Sequence, residues 1–196
     1  MKKIFVVFSL SFLLFSCDNS DKKLINTQLL YNGDCSYFLS EPTDWIANPK
    51  PDMKNDEIPI LVSYEPIKKI KHNDQMGIYS QVIFKDIYKS KGLVSTIEGF
   101  LKGEKETALE RGEEVFEAES VKTKDKKIAQ IRKYYCKSIS EYYSIAYIDE
   151  PKFIITITFS TYNLEDLNNN YSAFLEIVNS YKYSGMTVID DTRKNP

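Results

Sequence analysis

Histidine is almost missing from this 196-residue chain: His72 stands alone. One imidazole excludes a histidine-rich metal site and a Ser-His-Asp arrangement. Within Lys68-Lys69-Ile70-Lys71-His72 it reads as a solvated loop residue. Glycine is scarce, seven in all and scattered, so there is no glycine loop to cradle a phosphate. The three cysteines form no CxxC pair and none has a histidine beside it, which argues against a catalytic thiol. No internal repeat is present, and no apolar run after the first sixteen residues is long enough to cross a bilayer. Nothing in the sequence calls for a cofactor or a metal.

The one long apolar run is at the start. Lys2 and Lys3 precede Ile4 to Phe15, interrupted only by Ser9 and Ser11, and Leu14-Phe15-Ser16-Cys17 closes it. The run is short for a membrane anchor and has the layout of a signal peptide. Its ending looks like a bacterial lipobox, in which Cys17 is acylated on sulfur and becomes the new N-terminus. Phe15 stands where small residues are usual. The alternative is an ordinary secretory signal with an incidental cysteine. Acyl chains supply about 0.8 kcal/mol per buried methylene, so a multiply acylated Cys17 holds a domain on a membrane. The expected address is therefore the bacterial cell envelope, on the periplasmic side or the outer membrane.

Without residues 1–16 the chain carries 24 basic residues (26 less Lys2 and Lys3) against 28 acidic, a net charge of −4. This mild acidity argues against nucleic acid or anionic lipid as the main partner. The remaining length suits one domain with a sizeable core. Residues 17–33 read as lipidated cysteine and tether, 34–183 as the domain, and 184–196 as a polar tail.

The clearest pattern lies in the last third. Phe153, Ile155, Ile157 and Phe159 alternate with Ile154, Thr156, Thr158 and Ser160, the period of a strand with one core face and one lighter face. Tyr142 to Ile148 is aromatic and β-branched, and Asp149-Glu150-Pro151-Lys152 breaks the run, predicting an antiparallel hairpin. Leu164, Leu167, Tyr171, Phe174, Leu175 and Val178 then form one helical stripe, with Asn163 as N-cap and Glu165 and Asp166 in the first turn.

Earlier in the chain, Cys35 to Ser40 reads as a strand and Glu41 to Trp45 as a turn. Asn48 to Glu57 reads as a loop, and Ile58 to Tyr64 as a strand placed at an edge by Pro59 and stopped by Pro66. Ile67 to Asp74 is a basic connection, and Met76 to Tyr88 a strand carrying Ile78, Val82, Phe84 and Ile87. A helix follows from Ser95, with Ile97, Phe100, Leu101 and Ala108 on one face and Gly112 at its end. Val115 to Val121, a turn at Thr123 to Lys126, and Lys127 to Cys136 complete the order. The pattern predicts an α+β fold with a mainly antiparallel sheet.

Phe38-x-x-x-Pro42-x-x-Trp45 resembles the entry of PsbP-like domains. The helix at Ser95, the Lys127–Arg132 strand, the Tyr142–Ser160 hairpin and the closing Phe174-x-x-Ile177-Val178-Asn179-Ser180-Tyr181-Lys182-Tyr183 resemble the rest. That family includes the extrinsic photosystem II subunit PsbP and DcrB-like envelope lipoproteins. The resemblance spans about Asp34 to Tyr183 and implies an α/β/α sandwich used as a binding or accessory module. It brings no catalytic residues with it.

Three features invite a function. Cys35 and Cys136 remain as an even pair in an oxidising compartment; bridged, they would close a loop of about a hundred residues and add roughly 4–5 kcal/mol in the chain-entropy model. Two buried thiols that never meet is the equal alternative. Glu104, Glu106, Glu110, Glu113 and Glu114 fit a solvated helix face, and Asp190-Asp191 is a poor calcium site by itself. Among the 14 tyrosines, Tyr134, Tyr135, Tyr142, Tyr143 and Tyr147 cluster on neighbouring strands. Parity assigns Tyr135, Tyr143 and Tyr147 to core packing with Ile131 and Ile145. Tyr134 and Tyr142 are then the candidate binding surface, beside Arg132 and Ser144. The leading expectation is a lipid-anchored, non-enzymatic module that binds an envelope protein. The alternatives are a hydrolase using carboxylates in a cleft, or a small-ligand carrier with an apolar cavity.

Overall fold

The computed structural model describes residues 36–49, 60–68, 76–90, 92, 95–116 and 119–185. Cys17, the leader, the tether, Cys35, His72 and Asp190-Asp191 lie outside them.

Phe153–Thr161 (β9) is the strand the rest is built on. It pairs antiparallel with Gly77–Phe84 (β4) on one side and Glu141–Asp149 (β8) on the other. Ile60–Pro66 (β3) pairs with β4, and Trp45–Pro49 (β2) pairs with β3. On the far side Ile128–Cys136 (β7) pairs with β8. The outer edge of β7 is shared: Glu119–Lys122 (β6) pairs along its first half and Glu114–Val115 (β5) along its end. The result is an eight-stranded antiparallel sheet. Separately, Ser36–Phe38 (β1) pairs with Lys182–Gly185 (β10), joining the two ends of the domain.

Two helices cover opposite faces. Leu164–Ser180 (α3) places Leu167, Phe174, Ile177 and Val178 on Phe153, Ile155, Ile157 and Phe159. Asn163 caps it by accepting a hydrogen bond from the Glu165 backbone N–H at 2.8 Å, with Glu165 and Asp166 at its positive end. Ile97–Glu110 (α2) packs Ile97, Phe100 and Leu101 on Ile83, Tyr147 and Ile154 of the other face. The architecture is an α/β/α sandwich with a mainly antiparallel sheet.

The second helix explains one departure from the sequence reading. The face of β9 expected to be lighter is buried too: α2 packs on Ile154, and Thr156 and Thr158 are only 5% and 4% exposed. Other differences are local. Asn48 and Pro49, expected in a loop, belong to β2, and the rest of that expected loop lies outside the described residues; the pairing of β2 makes β3 an interior strand, and Pro66 does end β3. The Met76–Tyr88 strand stops at Phe84, and Ile87 falls in the short helix Lys85–Ser90 (α1). Val115 to Val121 is two strands rather than one. In α3, Leu164 is exposed at the first turn and Ile177 is buried in its place.

Gly112 ends α2 as expected, and the way it does so matters for the site. At φ 73° it turns the chain so that its own N–H reaches the Leu109 carbonyl at 3.0 Å. The Glu113 N–H reaches the Ala108 carbonyl at 2.9 Å. This is a Schellman closure, with glycine in the left-handed region that a side chain disfavours. It delivers Glu113 to the space between α2 and the sheet.

Candidate functional site

Two recesses lie at the same end of the sheet, one on each face. On the α3 face, β7 and β8 bring Tyr135 opposite Tyr142, and the rings stack at 4.4 Å between centroids. Tyr171 of α3 forms the opposing wall. Its hydroxyl donates to the Glu119 carboxylate, its ring sits 4.0 Å beneath the Lys133 ammonium, and Lys133 pairs with Glu119 at 3.1 Å. The Tyr171 hydroxyl holds Glu119 below the usual carboxylate range, with Lys133 assisting. Burial, then the Glu119 carboxylate, raises the Tyr171 phenol. Phe116, 48% exposed, and Leu164, 49% exposed, form the apolar rim. The groove encloses about 490 Å³. A second ion pair, Lys137 to Glu114 at 2.7 Å, stands beside it.

On the α2 face the recess is more polar. Tyr79, Thr158, Ser160, Glu141 and Tyr143 form its floor, and Glu104, Arg111 and Glu113 its wall, around about 410 Å³. Glu113 is only 7% exposed; it accepts from Arg111 Nε at 2.9 Å and from the Tyr143 hydroxyl. Burial, and then that carboxylate, pushes the Tyr143 phenol well up. Glu104 accepts from the Tyr147 hydroxyl at 3.1 Å. The view of these acids as one solvated helix face is therefore corrected for Glu104 and Glu113, which face the sheet. Glu106, Glu110 and Glu114 are exposed as expected.

Glu141 differs from both. Burial raises its carboxyl above the ordinary value, Glu113 adds repulsion, and only the Ser160 hydroxyl offsets them. The folded state thus binds the Glu141 proton more readily than the unfolded chain does. Its contribution to stability is present below the ordinary carboxylate pKa and is lost as pH rises through the raised folded value. Glu141→Gln is expected to raise the melting temperature at pH 7, with the gap to wild type closing as pH falls below the carboxylate range. Equal melting temperatures at both pH values would show that Glu141 is not destabilised in the fold.

The structure separates the two tyrosines read as one surface. Tyr134 pairs with Tyr143 and stacks on it at 4.9 Å, on the α2 face, where it is 2% exposed. Tyr142 is on the α3 face, half-buried in the aromatic groove. The cause is the hairpin register. Ile131 pairs with Ala146, not with Ile145, so the two isoleucines mark different faces. Both faces of a sandwich are apolar, and strand parity alone could not tell them apart. Tyr147 is core as expected, while Tyr135 and Tyr143 are half-buried. Tyr171, Lys133 and Phe116 were missed as groove residues. Tyr171 was visible in the helical stripe, but its neighbours across the sheet were not. Among the described residues Cys136 is a free thiol beside Ser138, with Sγ to Oγ 3.2 Å, and its candidate partner Cys35 lies outside them. Among the described residues no three acidic, histidine or cysteine side chains are placed to hold a metal. None of the described helices is long and apolar enough to cross a membrane.

Among solved structures, the chain is similar to the solution structure of cyanobacterial PsbP (CyanoP) from Synechocystis sp. PCC 6803. The two share 12% identity at a TM-score of 0.48, over 75% of this chain and 86% of that one. No family model and no curated protein matches the chain.

Proposed function

We propose that the chain is a non-enzymatic module of the bacterial cell envelope, held to a membrane through acylated Cys17, that binds a partner protein in the groove between α3 and the β7–β8 hairpin. The observation that supports this is the stacked Tyr135–Tyr142 pair beside exposed Phe116 and Leu164. The chemistry of the groove is that of contact. It offers ring faces and aliphatic carbons, and its charges are closed into Lys133–Glu119 and Lys137–Glu114 pairs within the domain. Tyrosine brings large contact area at low entropic cost and is enriched in interface cores. The fitting occupant is an apolar or aromatic side chain on an extended segment of another envelope protein.

The other two readings find less support. A carrier needs an enclosed apolar cavity, yet the groove lies open at the rim of α3, and deeper between α3 and the sheet Phe159 and Phe174 pack with their rings 6.2 Å apart. A hydrolase of the paired-acid type needs two available carboxylates. In the polar recess Glu113 is engaged by Arg111 and Tyr143, and Glu104 by Tyr147.

Crosslinking in intact cells, with purification through a C-terminal tag, tests the binding. One stoichiometric envelope protein is expected with wild type and is lost with the Tyr135→Ser/Tyr142→Ser double variant. Capture that is unchanged in a double variant of undiminished folding removes the groove from the function. Palmitate labelling of wild type but not of Cys17→Ala is the matching expectation for the anchor, and equal labelling of both would end it.

A further inference from the structure

The polar recess on the α2 face takes no part in that reading. The apolar residues of α2 reach Ile83, Tyr147 and Ile154, and the sheet beyond them is left open, floored by Tyr79, Tyr143, Thr158 and Ser160. Its charge is unbalanced. Three carboxylates, Glu104, Glu113 and Glu141, face one guanidinium, Arg111, which is committed to Glu113 at 2.9 Å. α2 ends against this wall with Arg111 as its C-cap, the one basic side chain at that end. Glu141 faces these groups with the Ser160 hydroxyl beside it and, among the described residues, no ion pair.

We propose that this cleft binds a primary ammonium carried on an alkyl stem, with Glu141 as its counter-ion. The ammonium would donate to the Glu141 carboxylate and the Ser160 hydroxyl. The Tyr79 and Tyr143 rings would cover the methylenes and offer their faces to the charge. A metal ion is the poorer fit, because the carboxylates do not converge on one point among the described residues. A guanidinium is also poorer, since its planar fork asks for a bidentate carboxylate and the second candidate, Glu113, already serves Arg111. About 410 Å³ accommodates a lysine side chain or a short diamine. The unfavourable ionisation of Glu141 in the empty cleft is what an ammonium would relieve.

The test is titration of the full chain with cadaverine, followed by the backbone amide shifts of Glu141, Tyr143 and Ser160. Saturable shifts at millimolar cadaverine are expected. Sodium at the same ionic strength, or valerate, should not produce them. Glu141→Gln, a variant expected to fold at least as well as wild type, should weaken binding about tenfold or more. Glu119→Gln, on the opposite face, should leave it unchanged. A blocked Gly-Gly-Lys-Gly peptide distinguishes the sources of the amine: tighter binding than cadaverine points to a lysine on a protein, weaker binding to a free amine. Absence of saturable shifts, or identical affinity in wild type and Glu141→Gln, overturns the proposal. Neither result bears on the aromatic groove.

Discussion

Phe174→Ala is expected to cost about 3–5 kcal/mol of folding stability, the usual range for deleting a fully buried phenylalanine. Phe174 is wholly buried at the centre of the α3 seam, with Phe159 at 6.2 Å and Tyr171 at 5.5 Å between ring centroids. No neighbouring loop can collapse into the space, because the floor is the central strand β9. For a domain of this size the loss corresponds to roughly 10 °C or more in melting temperature. Leu164→Ala, on the same helix but at the exposed rim, should change stability by less than about 0.5 kcal/mol. Urea denaturation of the two variants checks the pair. Similar losses would mean that α3 packs through a different face. Because Phe174 backs Tyr171, its variant should also weaken partner capture.

Glu150→Ala is the second large effect, at about 2–4 kcal/mol. Glu150 sits in the β8–β9 turn yet is only 2% exposed. Its carboxylate accepts from Lys127 Nζ at 3.2 Å and from the Tyr181 hydroxyl at 3.1 Å. Its carbonyl accepts from Lys85 Nζ at 2.6 Å. One turn residue therefore ties the start of β7, the start of α1 and the end of α3 together. Alanine deprives the buried Tyr181 of this acceptor, whereas Lys127 is partly exposed and can turn to water. Tyr181→Phe alone should cost about 1 kcal/mol. The double variant should fall short of the sum of the singles by about 0.5–3 kcal/mol, the coupling of groups in one network. Strict additivity in urea would show that the two side chains do not act together.

The turn containing Glu150 was legible in the sequence, but the burial of its carboxylate was not. Local signals carried well: the span of β9, the N-cap and most of the stripe of α3, and the apolar face of α2 all appear where the pattern put them. Each depends on residues a few positions apart. What failed depends on distant ones. β1 pairs with β10, β7 divides its edge between β5 and β6, and Glu113 turns inward because Gly112 closes a helix over it. The tyrosines show the limit most clearly. Their cluster on β7 and β8 was visible, and the register that sends Tyr134 to one face and Tyr142 to the other was not.

The pairing of β1 with β10 also constrains when and how the molecule can assemble. Phe38 finds its partner only at Lys182, so the first strand must wait until nearly the whole domain has emerged before it can be zipped in. The closure is antiparallel, with Ser36 against Gly185, so the chain enters and leaves the domain at one point. A pull between those two ends would load the backbone bonds of this short ladder one at a time rather than all together. The eight-stranded sheet would feel such a force only after the two end strands had peeled apart.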